Sequence, residues 1–149
     1  PADLVDFGVH AVATVEAPQP DIEHTLTELD PEPIDGVWTQ RWALVDAPPE
    51  LVAERQATAK AALLRAFTAA LEQHYDAKAC ERHYDNRLTC ALRAGYAGPF
   101  HAEGTAFAVW MDTCNAHAYT VLAQVEAGQR AMPAGPAALI NELPELVWP

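Results

Sequence analysis

The chain has 149 residues, of which 50% are hydrophobic and 20% are charged, and its formal net charge is −12. This composition supports a folded core and differs from that of a disordered chain. The negative charge argues against nucleic acid and anionic membranes as partners, because both repel an acidic surface. No apolar run approaches about 18 residues, so no membrane span is expected. No basic segment followed by an apolar one opens the chain, so no signal peptide is expected.

The negative charge is concentrated in residues 1–48, which contain ten acidic residues and one base, Arg41. An acidic surface keeps an abundant protein soluble, which is the simplest interpretation. A basic patch on a partner subunit is the alternative.

Residues 1–48 are predicted to form a small acidic β-rich head, as an antiparallel hairpin or meander. Strands are expected at residues 9–15, 23–29 and 37–45. A proline-containing spacer separates the first two, and an Asp-Gly turn precedes the third, since glycine accepts a positive φ. Side chains alternate along a strand, so Trp38 and Trp42 share one face. A sheet this small needs cover from its own helix or from another subunit.

Residues 49–128 are predicted to form a helical domain, a hairpin or bundle of long helices. Residues 50–94 contain neither proline nor glycine and include twelve alanines, the composition of a helix. Whether this helix continues past Tyr75 is left open by the pattern. A second long helix is expected over residues 102–127, with Gly128 as its C-cap.

Residues 129–149 are predicted to be a proline-rich tail with a helical turn at residues 136–143. The chain printed here ends in Leu146, Val147, Trp148 and Pro149. An apolar end of this kind docks either on its own helices or on a neighbouring subunit.

Two Cys-x-x-His segments are the best candidates for a metal site: Cys80 with His83, and Cys114 with His117. Residues three apart share a helix face, so facing helices could present two sulfurs and two nitrogens to a structural zinc ion. The simpler interpretation is a buried thiol beside a hydrogen-bonded histidine, and no metal or cofactor is predicted. The three cysteines are odd in number and widely spaced, which fits a reducing cytosol.

No catalytic constellation is recognisable in the sequence. The surroundings of Cys90 do not resemble a nucleophile elbow, and the glycines at 95 and 98 have the wrong spacing for a phosphate loop. We therefore predict that the protein is not an enzyme.

The chain resembles a group of small tail proteins that tailed bacteriophages and prophages encode near their tail-fibre or baseplate genes. The resemblance is carried by residues 35–42 (DGVWTQRW), 84–86 (YDN), 94–104 (AGYAGPFHAEG) and 110–112 (WMD). Together these blocks span most of residues 25–127. The resemblance implies a virion tail component, often in several copies, or an accessory to fibre assembly, and it implies no catalytic residue.

The function expected from the sequence is that of a structural adaptor in the distal tail, which binds baseplate or fibre subunits. The alternatives are a non-virion chaperone of fibre assembly and a zinc-stabilised binding module. The expected location is the virion tail, after synthesis in the cytoplasm of the host bacterium. The long helix and apolar tail also suggest self-association, for which a trimer matching fibre symmetry is one form. The residues predicted to form the interface are Trp38, Trp42, Leu146, Val147 and Trp148.

Overall fold

The computed structural model describes residues 9–149, which form a small sheet followed by helices. This arrangement confirms the predicted α+β class. The chain divides into two compact units, one up to Lys60 and the other from Ala61 to Pro149. The elements are β1 (Val12–Ala13), β2 (His24–Ile34), β3 (Val37–Asp46), α1 (Pro49–Cys80), α2 (Arg87–Ala91), a 3-10 helix (Leu92–Gly95), α3 (His101–Glu126) and α4 (Pro136–Ile140).

The sheet is built around β3, which lies between β1 and β2. β2 and β3 form an antiparallel hairpin in which Ile34 lies opposite Val37. The two turn residues, Asp35 and Gly36, have φ values of 50° and 83°. A two-residue hairpin turn with positive φ at both positions matches the twist of the strands it joins, which explains the Asp-Gly pair.

β2 is longer than predicted and continues through Pro31 and Pro33. Proline cannot donate a ladder hydrogen bond, so it is tolerated in an edge strand or at a bulge. Both conditions hold: β2 is an edge strand, and the register shifts between Leu29 and Glu32.

The first strand differs from the prediction, because only Val12 and Ala13 pair with the sheet, and they run parallel to β3. The sheet is therefore mixed: the predicted antiparallel hairpin is present as β2 and β3, and β1 adds a parallel pair to it. The stiff spacer at residues 17–20 (APQP) cannot form a tight hairpin turn. The first strand consequently pairs with the free edge of β3 and not with β2.

A hydrogen-bonded cluster fixes the start of β2. The Asp21 Oδ1 atom accepts from the backbone N–H groups of Glu23 and His24, at 2.9 and 3.0 Å, and from His24 Nδ1 at 2.6 Å. Arg55, in the second turn of α1, donates from Nη1 to the carbonyl oxygens of Asp21, Ile22 and His24, at 3.2, 3.3 and 2.8 Å. The start of the hairpin and the start of α1 are thereby joined.

α1 runs without a break past Tyr75 to Cys80, and the helical pattern then stops at residues 81–86. The break follows from local chemistry, because Asn86 caps α2. Its Oδ1 atom accepts from the N–H groups of Leu88 and Thr89, at 2.8 and 3.1 Å. The Thr89 hydroxyl accepts in return from the N–H of Asn86, at 3.1 Å, which completes a capping box.

The helical unit has one core, formed where the C-terminal half of α1 meets α2 and α3. The Trp110 ring lies edge-on to Tyr75 at 5.4 Å between centroids, and 5.5 Å from Phe107. The buried residues of this cluster are Tyr75, Ala79, Cys90, Phe107, Trp110 and Cys114.

α3 begins at His101 and ends at Glu126, as predicted to within one residue, and Gly128 follows with a φ of 68°. Near its start, Gly104 lies against the 3-10 helix. A Cβ atom at this position would lie 2.6 Å from the backbone nitrogen of Ala94 and 2.7 Å from Arg93 Cβ. Glycine is therefore required for the close approach of the two elements.

Replacing Gly104 with alanine should destabilise the helical unit by about 1–3 kcal/mol, because the added methyl group must push two backbones apart. Gly95→Ala is the matched control, since a Cβ at that position meets no atom within 4 Å. Urea unfolding monitored by circular dichroism would measure the stability of both variants. Equal midpoints for the two variants would contradict the close approach.

The hydrogen bond from His24 to Asp21 raises the pKa of His24 above 6.5 and lowers that of Asp21 below 3.8. Because the His24 pKa is raised, its contribution to stability is fully present below pH 6.5 and is lost as the pH rises through the folded-state pKa. The Asp21 contribution is fully present above pH 3.8 and is lost on acidification, so the pair stabilises most between these two values. NMR titration of the His24 ring should give a pKa above 6.5 that falls in Asp21→Asn. An unchanged pKa in that variant would contradict the assignment.

Candidate functional site

The two tryptophans of β3 lie under the segment that precedes the hairpin. The His10 ring stacks on Trp38, with 5.2 Å between centroids and 25° between planes. The Trp42 indole N–H donates to the carbonyl oxygen of Val15, at 3.1 Å. Both indoles are therefore half-buried by the chain itself. Their role in an interface stays a prediction.

Gln40 lies between the two tryptophans and holds the same segment. Its Nε2 atom donates to Glu28 Oε1 at 2.7 Å, and its Oε1 atom accepts from the N–H of Val15 at 3.3 Å. The amide thus connects the preceding segment, β3 and β2. This explains a polar residue between two tryptophans on the same face.

The opposite face of the sheet presents apolar side chains to solvent. Ile34, Val37 and Val45 are 52%, 53% and 41% exposed. Among residues 9–60, Ala47 is the one buried apolar residue. The sheet therefore has almost no core of its own, and contact with another protein surface would bury this face.

The C-terminal segment packs on the core of its own unit. Trp148 stacks on Phe107, with 5.8 Å between centroids, and the Arg82 guanidinium lies 5.4 Å from the Trp148 ring. The Trp110 indole N–H donates to the carbonyl oxygen of Pro144 at 2.8 Å. Of the three tail residues predicted at an interface, Leu146 and Trp148 pack against the core cluster.

Val147, the third predicted tail residue, points away from that core and is 80% exposed. Of the two docking modes left open for the tail, the structure has the intramolecular one. A partner that bound this segment would therefore contact Val147 and not Leu146 or Trp148, which pack on the core.

The Cys-x-x-His residues do not converge on one point. Cys114 is fully buried in the core, whereas Cys80 is exposed and its Sγ atom lies 3.9 Å from the carbonyl oxygen of Asp85. His117 Nε2 lies 3.6 Å from Glu142 Oε2. Within residues 9–149, no three or more His, Cys, Asp and Glu side chains are grouped so that they could hold a metal ion. The geometry that the zinc-stabilised alternative requires is not present in this part of the chain.

The buried thiols and the buried phenol are held in their neutral forms. Burial raises the pKa values of Cys90 and Cys114 to about 11 and that of Tyr75 to about 12. The Tyr75 hydroxyl donates to Asn115 Oδ1 at 2.9 Å. A protonated thiol is a weak nucleophile, so these cysteines serve as small core residues.

A charged depression of about 670 Å³ lies beside the turn after α1. The Tyr84 hydroxyl donates to Glu103 Oε2 at 2.9 Å, and Arg82 Nη1 lies 3.8 Å from Glu103 Oε1. Burial and this hydrogen bond raise the Tyr84 pKa to about 12, so the phenol stays a donor. Both oxygens of the carboxylate are thus engaged, and the cluster ties the turn to α3.

An open groove of about 390 Å³ runs along α1 and α3, and most of its lining is apolar. Two charged residues line it, Glu72 and Arg87, and they pair with each other at 3.0 Å. The apolar residues along its walls include Leu63, Phe67, Leu71, Met111, Leu122 and Val125.

The groove was not predicted from the sequence, because periodicity shows which helix face is apolar and does not show whether another element covers it. One feature of the sequence could have indicated the groove: α1 and α3 both carry wide apolar stripes, and no third long helix follows to cover them. Tyr119, at the rim, is 72% exposed. The groove is thus an apolar surface that residues 9–149 leave open.

Comparison with protein-family models, with curated proteins and with solved structures finds no match. The resemblance carried by residues 35–42 and 84–112 therefore remains a prediction. Among residues 9–149, no helix has the length and apolar character needed to cross a membrane.

Substitution of Trp148 by alanine should lower the free energy of unfolding by about 2 kcal/mol, because it removes a half-buried ring stacked on Phe107. Val147→Ala is the control and should change stability by less than about 0.5 kcal/mol, since Val147 is exposed. Denaturant unfolding of the two variants would measure this difference. Identical stability of Trp148→Ala and the parent chain would contradict docking of the tail on its own core.

Proposed function

We propose that this protein is a structural adaptor in the distal tail of a tailed bacteriophage and that it acts through protein–protein association. The observation that carries the proposal is the sheet with almost no core, in which Ile34, Val37 and Val45 lie exposed on one face. A stable sheet of this size gains its stability from the surface that covers it. The covering surface is a baseplate or fibre subunit.

The charge around this face indicates which charge the partner surface carries. Arg41 is the one basic residue in residues 1–48, and it forms an ion pair with Glu32. Asp30 and Asp35 lie on the same hairpin. The complementary surface therefore has apolar side chains opposite Ile34, Val37 and Val45 and basic groups opposite the carboxylates of the hairpin.

The segment that carries the phage-tail resemblance builds this hairpin. Asp35 and Gly36 form its turn, and Trp38, Gln40 and Trp42 hold the preceding segment against β3. The shared residues thus have physical roles in shaping the sheet. Those roles are structural and support an adaptor that performs no chemistry.

The proposal is tested by a mass-spectrometric inventory of purified particles from the source phage or prophage. The chain should be present in intact tails at a fixed copy number. Val37→Glu should reduce its incorporation, because a carboxylate would be buried in the contact. Val109→Glu is the control, since Val109 is exposed on α3, outside the sheet.

Absence of the chain from assembled particles would contradict the adaptor and favour a chaperone that leaves after fibre assembly. Full incorporation of Val37→Glu would show that the partner binds elsewhere. Binding of the isolated chain to tail subunits should weaken as salt rises, because the acidic rim is exposed and therefore screened.

A further inference from the structure

Arg93 lies in the 3-10 helix, and its side chain contacts two exposed aromatic rings of the loop that leads to α3. The guanidinium carbon is 5.9 Å from the centroid of the Tyr96 ring and 5.9 Å from that of the Phe100 ring. The Nη1 atom donates to the Tyr96 hydroxyl. Tyr96 and Phe100 are 48% and 51% exposed. Contact with aromatic faces orients the planar guanidinium, and such an arginine is suited to bind a carboxylate through two parallel hydrogen bonds.

Arg93 forms no ion pair with another of residues 9–149. The lysine and arginine side chains of the helical unit that do form ion pairs are those of Lys78, Arg82, Arg87 and Arg130. Residues 86–102 contain no Asp or Glu, although the chain has a net charge of −12. The positive charge of Arg93 therefore lacks a carboxylate partner in the part of the chain that the structure describes, and a bound carboxylate would supply one.

Arg93 also lines the charged depression beside the turn after α1. The two carboxylates of that depression are engaged within the chain. Glu81 pairs with Lys78 at 2.8 Å, and Glu103 accepts from the Tyr84 hydroxyl at 2.9 Å. A carboxylate that entered the depression would therefore bind Arg93 without displacing an existing ion pair.

Apolar surface lies beside this arginine on a rigid support. Leu92, its neighbour in the 3-10 helix, is 68% exposed, and Phe100 lines the same depression. We call Leu92, Arg93, Tyr96 and Phe100 the Arg93 patch. The backbone beneath the patch is held in place, because the 3-10 helix packs directly on Gly104 of α3. Exposed aromatic side chains around an arginine are typical of the centre of a protein interface.

From these contacts we infer that the Arg93 patch binds a segment of another protein that carries an Asp or Glu next to an apolar side chain. The carboxylate binds the Arg93 guanidinium, and the apolar side chain packs on Phe100 and Leu92. Among anionic partners, an acidic protein segment is favoured over nucleic acid and anionic membrane, which the net charge of −12 repels.

This partner differs in charge from the partner proposed for the sheet, which presents basic groups. The inference concerns a surface of the helical unit and does not depend on the proposed role in a phage tail.

The first test is an NMR titration of the full chain with two capped pentapeptides, of sequences ALDFA and ALNFA. Acetyl and amide caps make the aspartate the one charge of the first peptide, and the second peptide is its neutral counterpart. ALDFA should shift the amide signals of Arg93, Tyr96 and Phe100 and the side-chain Nε–H signal of Arg93. ALNFA should bind about tenfold more weakly, because the charge-assisted hydrogen bonds to Arg93 are lost. This comparison uses the unmodified chain, so it does not depend on the folding of a variant.

The second test is Arg93→Gln, which should bind ALDFA and ALNFA with equal affinity, because glutamine carries no charge. Arg65→Gln is the matched control. Arg65 is also an exposed arginine of the helical unit without an ion pair among the described residues, and its Nε atom donates to the Ala61 carbonyl oxygen at 3.2 Å. Arg65→Gln should leave both affinities unchanged.

Three results would overturn the inference: no shifts at millimolar ALDFA, equal affinities of the parent chain for the two peptides, or binding of ALDFA that Arg93→Gln leaves unchanged. Inorganic phosphate is the probe for a simple anion site. If phosphate shifted the same signals at the same concentrations as ALDFA, the patch would bind small anions and would not recognise an apolar segment, which also contradicts the inference.

Discussion

The burial of Phe107 is the contact on which the helical unit depends. Its side chain is fully buried, and it packs on Trp110 within α3 and on Trp148 from the end of the chain. Gly104, one turn earlier in α3, lets this helix approach the 3-10 helix closely enough to place that ring. Because α3 is fixed in this way at its N-terminal half, its C-terminal half lies beside α1 and leaves the groove open between them.

The apolar residues are thus distributed unevenly over the fold. Within the part of the chain that the structure describes, the helical unit forms one compact core, the sheet buries little, and the groove is uncovered. Contiguous apolar surface of this kind on a soluble protein marks sites of association. A partner subunit on the sheet would bury its exposed apolar face.

Local rules predicted much of the fold. The Asp-Gly turn, the shared face of Trp38 and Trp42 and the end of α3 at Gly128 all follow from the preferences of a few neighbouring residues. Strand pairing and helix packing between residues far apart in the sequence could not be predicted in this way. The parallel pairing of β1 depends on which strand edge is free, and the groove depends on how α1 and α3 are spaced. The intramolecular docking of Trp148 was one of two alternatives that the pattern left open, and packing on Phe107 decided it.

Amide hydrogen exchange in β2 and β3, measured with and without purified tail subunits, tests most directly whether another protein covers the sheet. An uncovered sheet opens locally and exchanges quickly, whereas a sheet packed under a second surface is protected. The account predicts that protection of these amides increases when tail subunits are added, while amides in the Phe107 core keep constant protection. Equally fast exchange of the β2 and β3 amides in the presence and absence of tail subunits would contradict it.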